Sequence, residues 1–183
     1  AVTSPKMEVI DSSIFLTSIY DTIGNRNWRV GLFRFDFNGN LDWKMEFADS
    51  GRDYTNSYIL MSQDTLLSLI ISDRTYDIQS DNHRFIRLDT DGNIVFDSTI
   101  YFTDSIDITA AKLLPDLSMV LSTVVDRDTT YVWKIYKLDQ FGNQLWSNEL
   151  PFNNRPDVTI NVGGSVEPTP DGGFAIGGYS NGY

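Results

Sequence analysis

The sequence contains no cysteine. This absence excludes disulfides, zinc–thiolate sites and thiol nucleophiles together. It also has a single histidine, His83, so only Ser-, Thr- or carboxylate-based chemistry remains open to an enzyme of this kind. No apolar run approaches the roughly 20 residues that a helix needs to cross a bilayer. The first five residues, AVTSP, lack the basic and apolar segments of a secretory signal, so the sequence predicts no signal peptide there.

Basic residues are also scarce. The chain of 183 residues has 14 Lys and Arg against 25 Asp and Glu, which gives a formal net charge of −11. A surface of this sign repels the phosphates of nucleic acids and the headgroups of anionic membranes. We therefore expect no nucleic-acid partner, and we interpret the acidic charge as a source of solubility.

Aromatic and other hydrophobic residues, by contrast, are plentiful. Hydrophobic residues make up 41% of the chain and aromatic residues 13%. No window shows a sustained apolar period of 3.6 residues, whereas short runs rich in Val, Ile, Tyr, Phe and Thr are bounded by Gly, Pro, Asn and Asp. That pattern is typical of strands joined by tight turns. The sequence therefore predicts an all-β fold with almost no helix.

A pattern of twelve residues occurs three times without gaps, at residues 32–43, 85–96 and 135–146. It reads apolar, apolar, basic, apolar, Asp, two variable residues, Gly-Asn, two variable residues, aromatic. The glycines lie 53 and then 50 positions apart. The fixed residues are Asp36, Gly39, Asn40 and Trp43, then Asp89, Gly92, Asn93 and Phe96, then Asp139, Gly142, Asn143 and Trp146. Such self-similarity identifies tandem structural repeats.

A second element alternates with the first. An aspartate followed two or three residues later by an apolar run occurs at Asp11, Asp64, Asp116 and Asp171, and in the last copy Gly172 and Gly173 follow directly. The two elements together predict that residues 1–183 form a single array of repeats. Its units of about fifty residues lie at 1–54, 55–107 and 108–157, and a truncated fourth unit lies at 158–183.

Each unit contains four predicted strands. Examples are 14–20 and 119–125 for the second strand, 28–35 and 132–138 for the third, and 41–47 for the fourth. Tandem four-stranded antiparallel units of this length are typical of β-propeller blades, each of which becomes stable by packing on its neighbours. Three and a half blades do not close a ring, since propellers have typically 4–8. We therefore expect a β-propeller fragment completed by further blades of a longer chain or by a second copy, with an open stack of sheets as the alternative.

Two segments carry a resemblance to a known family. Residues 169–181 (TPDGGFAIGGYSN) and 136–147 (YKLDQFGNQLWS) resemble the two halves of propeller repeats that are abundant in bacterial secreted and cell-surface proteins exported by the type IX route. The resemblance implies an extracellular or cell-surface location and repeat residues that hold blades together rather than catalyse. Units one and two depart from it, because they lack Gly-Gly and Phe96 replaces the expected Trp.

The third and fourth predicted strands are more distantly similar to the pyrroloquinoline-quinone-type propeller repeat. In that family a Gly and a Trp of each blade form a docking interaction, with the Trp packed on the next blade. The resemblance implies this role for Gly39 with Trp43 and for Gly142 with Trp146. Some quinone enzymes of the family use vicinal cysteines, which this chain lacks, so no quinone cofactor is expected.

Two patterns carry candidate ligand chemistry. Asp89 and Asp91, in the segment DTDGN, resemble the start of a calcium loop, whereas the alternative is a hairpin turn in which Gly-Asn adopts positive φ. Arg34, Arg87 and Lys137 share one position of the repeat. They are interpreted either as a ring of cations or, preferably, as exposed strand positions paired with acids on neighbouring strands.

These observations favour a non-enzymatic module that binds a protein or glycan partner through loops between the second and third strands, at 21–28, 74–83 and 126–131. Alternatives are a carbohydrate-active hydrolase or lyase that uses loop carboxylates, and a purely architectural subunit of a surface complex. His83 aligns with Val30 and Trp133, which predicts a position within a sheet rather than in a catalytic triad. No catalytic residue and, apart from the calcium candidate, no cofactor is expected.

Overall fold

The structure is a computed structural model that describes residues 5–21, 28–47, 53–61, 65–74, 82–104, 106–127, 130–150, 158–159, 165–171, 173–178 and 181–182. Throughout these ranges the chain forms strands, turns and short connections, and no helix occurs in them. The all-β prediction is confirmed to this extent.

Three four-stranded antiparallel sheets follow one another along the chain, each with its strands in sequence order. The first sheet contains β1 (Lys6–Ile10), β2 (Ser13–Asp21), β3 (Trp28–Asp36) and β4 (Leu41–Phe47). The second contains β5 (Asp53–Met61), β6 (Leu67–Arg74), β7 (Asn82–Leu88) and β8 (Ile94–Tyr101). The third contains β9 (Ile106–Leu113), β10 (Met119–Arg127), β11 (Thr130–Leu138) and β12 (Gln144–Glu149).

The last part of the chain forms two short strand pairs. β14 (Ser165–Pro168) pairs with β15 (Phe174–Gly177), and β13 (Val158–Thr159) pairs with β16 (Asn181–Gly182), both antiparallel. β14 and β15 occupy the places of the first and second strands of a fourth repeat. The predicted strands 41–47, 28–35 and 119–125 are each present, with the last two slightly longer than expected.

The chain divides into two compact units, residues 1–101 and 102–183. The first unit contains the first and second sheets, and its core lies between them. We call the side of the first sheet that bears Phe15, Leu32 and Phe47 its front face; it packs against the side of the second sheet that bears Leu69 and Ile86, which we call the rear face of that sheet. Apolar residues alternate with polar ones along these strands, so one face of each sheet is directed into this shared core.

The second unit has an equivalent core. Val120, Trp133 and Ile135 lie on the face of the third sheet that corresponds by repeat position to the front face of the first, and Val166 and Ile176 from the β14–β15 pair pack against them. In both units, therefore, the strands of one repeat cover a face of the preceding repeat. This face-to-face packing of consecutive repeats is compatible with blades and with an open stack, so the propeller stays a prediction.

Candidate functional site

The turn between the third and fourth strands explains the fixed residues of the repeat. In the first sheet, Asp36 Oδ1 accepts hydrogen bonds from the backbone N–H groups of Asn38 at 2.9 Å and Asn40 at 2.8 Å, and its Oδ2 accepts one from Asn40 Nδ2 at 2.8 Å. Gly39 adopts a φ of +83°, a conformation that costs glycine little. The aspartate, the glycine and the asparagine thus hold one turn together. The predicted positive φ is confirmed for Gly39 and is wrong for Asn40, whose side chain instead bonds to Asp36.

The other two sheets repeat this geometry. Asp89 accepts hydrogen bonds from the backbone of Asp91 at 3.0 Å and of Asn93 at 2.8 Å, and from Asn93 Nδ2 at 2.9 Å. Asp139 makes the equivalent contacts, including one from Asn143 Nδ2 at 2.9 Å. The corresponding glycines, Gly92 and Gly142, have φ values of +89° and +86°. The residues that recur at fixed positions of the repeat therefore form the same turn in all three sheets.

These hydrogen bonds also shift the acidity of the aspartates. The hydrogen bond from the Asn40 side chain is the largest cause that lowers the pKa of Asp36, and Asn93 has the same effect on the pKa of Asp89. At Asp139, burial raises the pKa, but the hydrogen bonds from Asn143 and the turn backbone outweigh it and the pKa is lowered overall. Each carboxylate is therefore stabilised in its charged form.

Trp43 of the first sheet lies on the turn of the second. A methyl group placed on Gly92 would lie 3.3 Å from Trp43 Cε2, and Trp43 Nε1 donates a hydrogen bond of 3.3 Å to the carbonyl oxygen of Thr90. The ring of Phe15 supports the indole from its own sheet at a centroid distance of 6.0 Å. The glycine thus lets an indole ring approach the backbone of the next repeat closely.

The structure corrects the prediction of which glycine Trp43 packs on. Trp43 packs on Gly92 of the following repeat and not on Gly39 of its own turn, because a methyl group on Gly39 would have no atom within 4 Å. Trp43 lies on the fourth strand after the Gly39 turn, on the face directed toward the second sheet. Its ring therefore extends toward the next turn and away from its own.

Arg34 strengthens the same contact. Its Nη1 donates a hydrogen bond of 2.9 Å to the carbonyl oxygen of Thr90, and its Nε donates one of 3.0 Å to Ser13 Oγ. Arg34 also lies 3.4 Å from Asp42 on the neighbouring strand and 3.4 Å from Asp91. Since Thr90 accepts from both Arg34 and Trp43, the second turn is held by an aromatic ring and a cation together.

The three cations of the repeat position differ in their surroundings. Arg34 is paired with an acid on the neighbouring strand, as predicted. The expectation of an exposed position is wrong for Arg87, which is 6% exposed and lies over the ring of Phe85 at 5.1 Å. Lys137 is half-buried. Arg87 lies in β7, an inner strand of the second sheet, on the face opposite the rear face and shared with Phe85.

The calcium hypothesis concerns Asp89 and Asp91. The carboxylate of Asp89 is oriented into its own turn by three hydrogen bonds, and that of Asp91 lies 3.4 Å from the guanidinium of Arg34. Among the described residues, no three His, Cys, Asp or Glu side chains form a group that would hold a metal ion. These contacts support the turn interpretation, and calcium binding stays a prediction.

The remaining repeat residues lie in equivalent places. Phe96, at the position of Trp43, contacts Phe85 edge-on at a centroid distance of 5.7 Å. Trp146 is half-buried and stacks on Phe174 of β15 at 5.6 Å. Asp171 Oδ1 accepts hydrogen bonds from Thr169 Oγ1 and from the backbone of Gly173. Gly172 lies outside the described residues.

Two pairs of polar side chains were not identified from the sequence. His83 lies in β7, as its alignment predicted, and its Nδ1 is 2.8 Å from Ser72 Oγ in a fully buried position. Lys134 Nζ donates a hydrogen bond of 2.8 Å to Asp104 beside the buried ring of Tyr136. The signal for the second was available, because Lys134 occupies the repeat position of Arg84, a residue that is itself paired with an acid.

Most of the loops expected to bind a partner lie outside the described residues. Of the ranges 21–28, 74–83 and 126–131, the residues 22–27, 75–81 and 128–129 are not described. In the part of the chain that the structure does describe, no helix has the length and apolarity needed to span a bilayer. No family model matches the chain, and no curated protein matches it.

Proposed function

We propose that this chain is a segment of a β-propeller that acts as a non-enzymatic binding module outside the cell or at a bacterial cell surface. The observation that supports this most is the docking of consecutive repeats. Three sheets with one topology carry one turn, and the turn of the second repeat receives Trp43 and Arg34 of the first. Such packing makes a rigid scaffold, and loops on a rigid scaffold are where binding residues are concentrated.

The clustered polar side chains among the described residues have structural roles rather than catalytic ones. The turn aspartates each use their oxygens to hold a turn. His83 is buried within a sheet, and Tyr136 beside Lys134 is 1% exposed. A catalytic group must reach its substrate, so these buried groups are poor candidates. We infer that recognition of a protein or glycan belongs to the loops between second and third strands.

The binding hypothesis is tested with immobilised glycans and extracellular proteins as probes. We expect saturable binding that is lost when residues 126–131 are replaced by a Gly-Ser segment of equal length. The control is Leu145→Ser, at a side chain that is 56% exposed on the last strand of the third sheet, which we expect to leave binding unchanged. Release of cleaved product from any bound polysaccharide would instead support a hydrolase or lyase.

The proposed location has its own test. The full-length polypeptide is followed in intact cells of its natural source by an antibody to this segment and by exposure to an external protease. A surface module is degraded without cell lysis. Protection of the segment until the cells are lysed would place it inside and would contradict the resemblance to type IX cargo.

A further inference from the structure

The first sheet has a second apolar side, opposite its front face, which we call its rear face. Met7 and Val9 of β1 are 63% and 51% exposed there. Leu16 of β2 and the Phe33 and Phe35 rings of β3 lie beside them and are half-buried. The two phenylalanine rings stack at a centroid distance of 6.4 Å. A row of apolar side chains in contact with solvent is unfavourable unless something covers it.

The repeat shows what such a face receives. The rear face of the second sheet, which is buried against the first sheet, is formed by the residues at the same repeat positions. The matching pairs are Ile14 with Leu67, Leu16 with Leu69, Phe33 with Ile86, and Phe35 with Leu88. In the second sheet these side chains are 0–1% exposed. Among the residues that the structure describes, the first sheet therefore presents the same surface with its apolar side chains in contact with solvent.

The glycine turns show the same difference. Gly92 on the second turn lies under the ring of Trp43, whereas Gly39 has φ of +83° and open space where a methyl group would be. Asp36 and Asn40 hold the Gly39 turn in the conformation that accepts Trp43 one repeat later. The position above Gly39 is thus a preformed seat for an aromatic ring.

We propose that the rear face of the first sheet binds a further four-stranded sheet of this repeat type within the same polypeptide, with an aromatic ring at the repeat position of Trp43 seated on Gly39. This inference rests on the repeat-array part of the proposed function and names the partner of one surface. The seated ring donates toward the carbonyl of Phe37, which is the repeat equivalent of Thr90.

The linkage between repeats favours a partner in the same polypeptide over a second copy. A standard complex between separate proteins needs about 800 Å² from each partner. A linked sheet binds through a smaller surface because its effective concentration is high. The packing of the first sheet on the second already shows such a contact between linked repeats.

The absence of cysteine makes the test direct, since one introduced thiol is the only thiol in the chain. Leu16→Cys places it on the rear face of the first sheet, and Leu69→Cys is the matched control at the same position of the covered second sheet. We expect the thiol at position 16 to react with a maleimide about 100-fold faster than the thiol at position 69, because a buried thiol reacts only when its site opens locally.

The same Leu16→Cys chain is then extended by one more repeat, either a second copy of residues 1–54 or a copy of residues 55–107 ahead of Ala1. We expect labelling at position 16 to slow by about 100-fold with the first donor. Trp43→Ala in the donor copy alone should restore a large part of the lost rate, since it removes the ring from Gly39.

An unchanged rate of thiol labelling at position 16 with both donors overturns the proposal, whether or not a donor folds. A rear face that binds a repeat must also stabilise the fold of the repeat that is linked to it. Protection in the unextended chain that grows with protein concentration overturns it too, since a second copy would then be the occupant. Protection by a donor together with no ligand in the glycan and protein panels would leave this docking intact and contradict only the proposed binding role.

Discussion

The docking of Trp43 on Gly92 is tested most sharply by adding one methyl group to each of two glycines. Gly92 and Gly39 occupy the same turn, with φ values of +89° and +83°, so an alanine at either position has the same backbone cost of roughly 1–2 kcal/mol. Only at Gly92 does the new methyl group meet a ring, at 3.3 Å from Trp43 Cε2. That distance forces the indole to move by a few tenths of an ångström.

We therefore expect Gly92→Ala to lower the free energy of unfolding by about 1 kcal/mol more than Gly39→Ala, a modest overpacking cost. Trp43→Ala alone should cost about 3 kcal/mol, the lower end of the range for a large aromatic, because the ring is half-buried. In the Trp43→Ala background the two glycine substitutions should become equal.

The measurement is urea denaturation of the three single and two double variants, followed by circular dichroism because every variant with Trp43→Ala loses a fluorophore. Equal costs for the two glycine substitutions in the parent chain would refute the docking argument. So would a difference that persists after Trp43 is removed, because the excess cost would then come from the turn itself.

Three further outcomes are expected. Gly178→Ala should cost about 1–3 kcal/mol in urea melts, since its methyl group would lie 2.7 Å from Cη2 of the buried Trp133; a cost no larger than that of Gly177→Ala, which meets only a hydroxyl, would contradict this. Thr65→Gly should leave the melting temperature unchanged or raise it, because a β-branched residue at a φ of +68° is strained; a lowered melting temperature would show that this strain is absent. Finally, the turn aspartates have pKa values below their ordinary value of 3.8. Their contribution to stability is therefore complete above that pH and is lost as the pH falls through the lower pKa of the folded state. A melting temperature that does not fall between about pH 4 and pH 2 would contradict the carboxylate contacts.

Much of the fold was predictable because many contacts within each repeat join residues that are close in sequence. The Asp, Gly and Asn of the turn act within five residues, so their spacing alone predicts the conformation that Gly39 and Gly92 adopt. The strand at 41–47 was predicted to the residue, since a turn precedes it and an alternating pattern fills it.

Contacts between repeats were less predictable. The family resemblance implied that a tryptophan docks on a glycine. The sequence does not show which repeat supplies that glycine, so the prediction that Trp43 pairs with Gly39 was wrong. The burial of Arg87 was missed for a similar reason, because a strand pattern shows that a residue shares a face with Phe85 without showing what covers that face. The Lys134–Asp104 pair joins residues 30 positions apart; the repeat position that Lys134 shares with Arg84 predicts an acidic partner but does not show which acid it is.

We propose that these repeats are blades of a propeller. An experimental structure of the full-length polypeptide tests it most directly, by the arrangement of the four-stranded sheets. We expect sheets placed radially about one axis, with the turns at Gly39, Gly92 and Gly142 on the same side of the array and a sheet of the same type covering Leu16 and Phe33. Sheets stacked in an open row, or these three turns on opposite sides of the assembly, would contradict it.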